Sequence, residues 1–221
     1  VHLASLLVLG LLSGAETVGG RISVELIDIT RMSQKTMDEL KREVQAIYES
    51  ASVQIEWSSE SAAHLPEHGA RAYIVERLPA MIETRLRAFH GRRPMAVSLG
   101  GTRSDATQAI FVSRSAVSQN ASSGGVLSQE ILGKALGRVL AHELAHRFIS
   151  REHSAGGVLK KGLLPSDLTG SGRGLQFTNE QLDVLLGGVL LGLRKALVFV
   201  EVVLETVRGC GNRHGGGRRF L

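Results

Sequence analysis

Residues 21–57 read RISVELIDITRMSQKTMDELKREVQAIYESASVQIEW, and this stretch decides the fold class. From Arg21 to Ile29 the apolar residues Ile22, Val24 and Leu26 alternate with their neighbours, the period of a strand with one buried face. Val53-Gln54-Ile55-Glu56-Trp57 alternates in the same way. Between them Met37, Leu40, Val44, Ile47 and Ala51 mark one face of a helix, and Thr36-Met37-Asp38-Glu39 has the form of a capping box. A strand, a crossover helix and a second, parallel strand is the arrangement that these segments predict.

Working outward, residues 58–70 read as a loop, and Ala72 to Leu78 suits strand or helix until Pro79 interrupts it. Ala80 to Phe89 reads as a helix, Met95 to Leu99 as a strand and Gln108 to Ser113 as an edge strand near a cleft. Ser118 to Gly125, including the formal sequon Asn120-Ala121-Ser122, is expected to be a polar loop. A chain of 221 residues with 43% apolar content suffices for one well-packed α+β domain, expected over residues 16–200.

The next segment carries the chemistry. Ser128 to Ile149 contains no proline, begins with a good N-cap and places Ile131, Ala135, Val139 and Ile149 on the face shared by His142 and His146. Leu140 and Leu144 make the opposite face apolar, so this helix is expected to be buried almost all round. His142-Glu143-Leu144-Ala145-His146 sets two imidazoles one turn apart on one face, where both can reach a single ion. Glu143 lies about 100° further round, beside the metal, placed to take a proton from water. Buried imidazoles and a carboxylate are costly to desolvate without partners, and a metal answers that cost.

A catalytic zinc takes three protein ligands and keeps one position open. His153 is the nearest candidate for the third, but a continuing helix would carry it roughly 10 Å along the axis, so the chain must turn after Ile149. Ser150 and the pair Gly156-Gly157 allow such a break. Glu152, Asp167 and Glu180 are the rival ligands.

The His-Glu-Leu-Ala-His core with His153-Ser154 downstream resembles the metzincin clan of zinc metallopeptidases, in particular small secreted bacterial proteins of that type. The resemblance covers residues 21–190 in outline and is specific over 140–154. It implies a small twisted mixed sheet, a crossover helix, a buried active-site helix and a C-terminal helix. It further implies Zn2+ held by His142, His146 and His153, Glu143 as general base, and a peptide or protein substrate laid along an edge strand. The chain departs from the pattern at three points. Ile149 stands where the clan has glycine, His153 comes one residue late, and Leu159 in Gly157-Val158-Leu159 occupies the position of the turn methionine.

Residues 1–15 contain the apolar run Leu3–Leu12 followed by Ser13-Gly14-Ala15, the form of a secretory signal, which predicts a secreted or periplasmic protein. Phe177-Thr178-Asn179-Glu180-Gln181, followed by Leu182, Leu185, Leu186, Val189 and Leu190, reads as a capped amphipathic helix packed behind the site. Charges at Arg194, Lys195, Glu201 and Glu205 argue against a membrane span further on, and residues 201–221 read as a disordered basic tail. Arg208, Arg213, Arg218 and Arg219 supply four of the net five positive charges, so the body lacks the basic face that nucleic-acid binding needs. The single cysteine, Cys210, excludes an intramolecular disulfide and a cysteine-type zinc site. His64, His68 and His90 are expected to be separate surface residues and not a second metal site. Two other functions use the same residues: a catalytically silent secreted zinc-binding domain, and a metal-free exported binding protein. Substrate preference and oligomeric state are not legible.

Overall fold

The computed structural model describes residues 20–58, 69–90, 93–99, 109–122, 125–150, 152–185 and 187. The signal-like segment 1–15, the tail 201–221, His64, His68 and the His90 side chain lie outside the described residues. A mixed α+β fold is present: five strands, β1 (Arg21–Asp28), β2 (Gln54–Ser58), β3 (Gly69–Val75), β4 (Ala96–Leu99) and β5 (Ala109–Ser113), form one sheet in the order β2-β1-β3-β5-β4. Pairing is parallel except between β4 and β5. The helices are α1 (Gln34–Glu49), α2 (Ala80–His90), α3 (Arg114–Ala121), α4 (Gln129–Phe148) and α5 (Pro165–Thr169), with a further helical segment at 179–185.

The strand–helix–strand expectation holds, with β1 and β2 in parallel register from Arg21 opposite Gln54. Asp28 ends β1 by accepting hydrogen bonds from the Thr30 and Met32 backbone N–H groups at 2.8 and 2.7 Å, which turns the chain toward α1. That turn moves the helix start upstream of the capping box read from the sequence. Ser33 is the N-cap, its Oγ accepting from Thr36 N at 3.2 Å. Glu39 is therefore buried between helices, paired with Lys134 at 3.7 Å and with Arg42, instead of closing the cap.

Three further expectations change. The segment left open between strand and helix from Ala72 is strand only to Val75, and β3 begins at Gly69, within the expected loop, because Ala70, Ala72 and Ile74 alternate inward. Residues 109–113 are not an edge: β5 lies between β3 and β4, and β4 forms the edge of the sheet. Its buried residues Ile110 and Val112 pair on both sides, against Ala72 and Ile74 of β3 and Ser98 and Ala96 of β4. The stretch expected to be a loop from Ser118 is helical as far as Ala121, because α3 starts directly after β5 with Ser113 as its cap.

Val24, Ile55, Ala72, Ile74, Ile110 and Val112 from the sheet meet Leu40, Val44 and Tyr48 of α1 and Leu136, Leu140 and Leu144 of α4 in one core. Helices α1 and α4 approach closely because of two glycines. A Cβ at Gly137 would lie 2.7 Å from the Leu40 carbonyl oxygen, and one at Gly133 would lie 2.6 Å from that of Thr36. The contact is further held by Arg138, which donates to Glu43 at 2.6 Å and to the Asp167 carbonyl at 2.8 Å. Buried Tyr48 donates to the Ala141 carbonyl at 3.2 Å and stacks edge-on against Phe177. As expected, α4 is buried over most of its length, although Ile131 in its first turn is exposed. No helix among the described residues is long and apolar enough to cross a membrane.

Candidate metal centre

Helix α4 begins where the sequence predicts, with Ser128 Oγ accepting from Ile131 N at 3.2 Å. Its last two turns carry His142, Glu143 and His146. Ile149 ends the helix, its N–H still bonded to Ala145 O at 2.8 Å, and the chain then folds back. Ser150 makes the break that the sequence suggested: its carbonyl accepts from His146 Nδ1 at 2.8 Å, and its hydroxyl accepts from Glu152 N at 3.0 Å. No glycine is needed at 149, since Ile149 keeps a negative φ of −113°.

The fold-back brings His153 to the helical pair. His146 Nε2 lies 3.0 Å from His142 Nε2 and 3.3 Å from His153 Nε2, and one ligand atom from each ring lies within 4.8 Å of the others. These three histidines form the only such group among the described residues. The rivals stand elsewhere: Glu152 and Glu180 are exposed, and Asp167 accepts from Lys160 at 2.9 Å and from Leu164 N at 2.9 Å. Burial pushes the Asp167 carboxyl up, but those hydrogen bonds and the nearby Lys160 and Arg138 charges bring it below its ordinary value.

The second bond on each helical ring fixes its tautomer. His142 Nδ1 donates to the Val158 carbonyl at 2.7 Å, as His146 Nδ1 donates to Ser150. A carbonyl only accepts, so the neutral rings carry their lone pairs on Nε2. Those lone pairs converge at 3.0 Å, an arrangement that a shared cation or proton makes favourable. Nitrogens about 2.0–2.1 Å from one tetrahedral ion stand roughly 3.3 Å apart, so the cluster fits a single small metal ion. Burial, reinforced by the neighbouring His146, lowers the His142 pKa to about 4, against the opposing Val158 hydrogen bond. The ring is thus neutral and able to ligate at pH 7.

Glu143 meets the sheet, where the Ser98 hydroxyl of edge strand β4 donates to its Oε2 at 2.9 Å. Burial raises the Glu143 pKa, while the Ser98 hydrogen bond and the electrostatic interaction with His146 act in the opposite direction.

No protein-family model, curated protein or solved structure matches this chain. The site therefore rests on its own geometry. All four site residues read from the sequence, His142, Glu143, His146 and His153, are brought to one end of α4. Sequence reasoning missed Ser98 and the carbonyls of Ser150 and Val158. No local pattern marks a serine 45 positions from its partner, and carbonyl groups carry no residue identity. Leu159, at the position where the resemblance expects methionine, is buried with 2% exposure, beside the Val158 carbonyl that orients His142.

Proposed function

We propose that the chain is an exported zinc-dependent endopeptidase of metzincin-like type, in which His142, His146 and His153 hold zinc and Glu143 is the general base. The convergence of three imidazole nitrogens beside a carboxylate anchored on an edge strand carries this reading. Nitrogen-only ligation by three histidines suits zinc, and it leaves the fourth tetrahedral position for chemistry. The apolar run at Leu3–Leu12 supports export.

When bound, zinc supplies a Lewis acid that acidifies water toward neutrality and polarises a peptide carbonyl. Glu143 takes the proton of the attacking water and delivers it to the departing amine. Its raised pKa brings it closer to the range in which it both accepts and returns a proton. Ser98 fixes the direction of the carboxylate and favours its ionised form. Val158 and Ser150 hold the two helical rings in the ligating tautomer. Among the described residues β4 has no strand on its far side, so an extended peptide can add to the sheet beside Glu143.

The test pairs metal analysis with cleavage of a mixed peptide library by the wild-type chain and Glu143→Gln. The wild type is expected to carry one zinc and to cleave; Glu143→Gln is expected to keep the zinc and lose hydrolysis. Zinc without cleavage in the wild type assigns a silent zinc-binding domain instead, and unchanged turnover in Glu143→Gln removes Glu143 from the mechanism.

A further inference from the structure

The third histidine sits outside the helix, so something other than α4 must hold it in place. Residues 154–161 close on themselves: Ser154 N donates to Leu159 O at 2.9 Å, Lys161 N to Ser154 O at 3.2 Å, and Lys160 N to Gly157 O at 3.1 Å. His153 immediately precedes this closed loop, and the loop's centre provides the Val158 carbonyl that orients His142. The loop thus governs two of the three imidazoles.

One side chain from a different element grips it. Gln181, 5% exposed in the helical segment 179–185, donates through Nε2 to Ser154 Oγ at 2.8 Å and to Gly156 O at 3.2 Å. Its Oε1 accepts from Thr178 N at 3.1 Å, and Thr178 Oγ1 accepts from Gln181 N at 3.3 Å, which caps the segment reciprocally. Ser154 Oγ donates in turn to Gly156 O at 2.6 Å, so each polar atom of the grip is used. The packing is close enough to require Gly157: its φ is +72°, and a Cβ there would lie 2.5 Å from Gln181 Oε1.

We infer that Gln181 is a positioning residue for the metal site, setting zinc affinity by clamping the loop that presents His153 and the Val158 carbonyl. This rests on the zinc reading of the three histidines. The amide is suited to both tasks at once, since one end accepts for the cap and the other donates to the loop. Removing an outer support of this kind costs about 10–100-fold in metal affinity.

Gln181→Glu separates the two tasks, because it keeps the volume and the cap acceptor and sets an oxygen against the Gly156 carbonyl in place of the donor. Zinc affinity of the full chain is measured by competition with a chromophoric chelator, and Co2+ substitution reports the ligand set by visible absorption. Circular dichroism of the metal-free protein checks the fold. The variant is expected to remain folded, bind zinc about 10–100-fold more weakly and give a weakened Co2+ band. A folded Gln181→Glu protein with wild-type zinc affinity and Co2+ spectrum overturns the inference and leaves the zinc reading intact. A wild-type chain that binds no zinc overturns both. If Gln181→Glu does not fold, Ser154→Ala removes the grip from its other end, and wild-type affinity in that variant overturns the inference equally.

Discussion

Protonation of His142 should make the metal-free protein acid-sensitive by a predictable amount. The folded-state pKa is about 4 against an ordinary value of 6.5, because the ring is buried beside His146. A histidine with a depressed folded pKa binds its proton more readily when unfolded. Its contribution is therefore neutral above pH 6.5, and stability falls as pH drops from 6.5 toward 4. At 1.36 kcal/mol per unit, the 2.5-unit difference amounts to about 3 kcal/mol at and below pH 4, most of it lost between pH 6 and 4. Glu143 acts with the opposite sign, since its raised pKa favours the folded state as the carboxyl protonates. A comparison with His142→Asn removes such background: asparagine keeps a donor near the Nδ1 position for the Val158 carbonyl and does not titrate in this range. Urea unfolding of chelator-treated proteins at pH 7, 5 and 4 reads the difference. Wild type is expected to lose about 3 kcal/mol more than the variant between pH 7 and 4. Parallel loss in the two proteins refutes the desolvation argument.

Three other perturbations probe separate parts of the reasoning. Ser98→Ala removes the hydrogen bond that favours ionised Glu143, so the acid limb of the kcat/KM profile should move to higher pH; an unmoved limb disconnects β4 from the base. Gly137→Ala places a methyl group against the Leu40 carbonyl and should destabilise the fold by about 2 kcal/mol in urea unfolding, despite alanine's better helix propensity. Leu159→Met should leave zinc affinity unchanged and cost less than about 1.5 kcal/mol, because the neighbouring backbone carbonyl, not this side chain, supports His142; a large change in zinc affinity contradicts that assignment.

Ile149 at the helix end and the position of His153 both have local physical explanations. Ile149 ends the helix without left-handed backbone because Ser150 takes over the turn. The late His153 still reaches the pair, since the fold-back brings its Nε2 to 3.3 Å from that of His146. Histidine spacing along the chain therefore constrains this cluster less than the turn between the ligands does.

What the sequence determined by itself is local and periodic. Four-residue spacing sets His142 and His146 on one face of α4, Ser128 starts that helix, and alternation at Ile22–Leu26 and Val53–Trp57 marks two parallel strands. Each depends on neighbours within a turn or a strand, where backbone geometry alone dictates which side chains coincide. Tertiary structure decided the rest. It made β4 the edge instead of residues 109–113, moved the cap of α1 to Ser33, chose His153 over Asp167 and brought Ser98 to Glu143. These outcomes turn on which surfaces pack together: glycines letting α1 meet α4, Lys160 engaging Asp167, and carbonyls at 150 and 158 accepting hydrogen bonds from the rings. Long-range pairing follows from burial and hydrogen-bond satisfaction across distant segments, and no period along the chain encodes it.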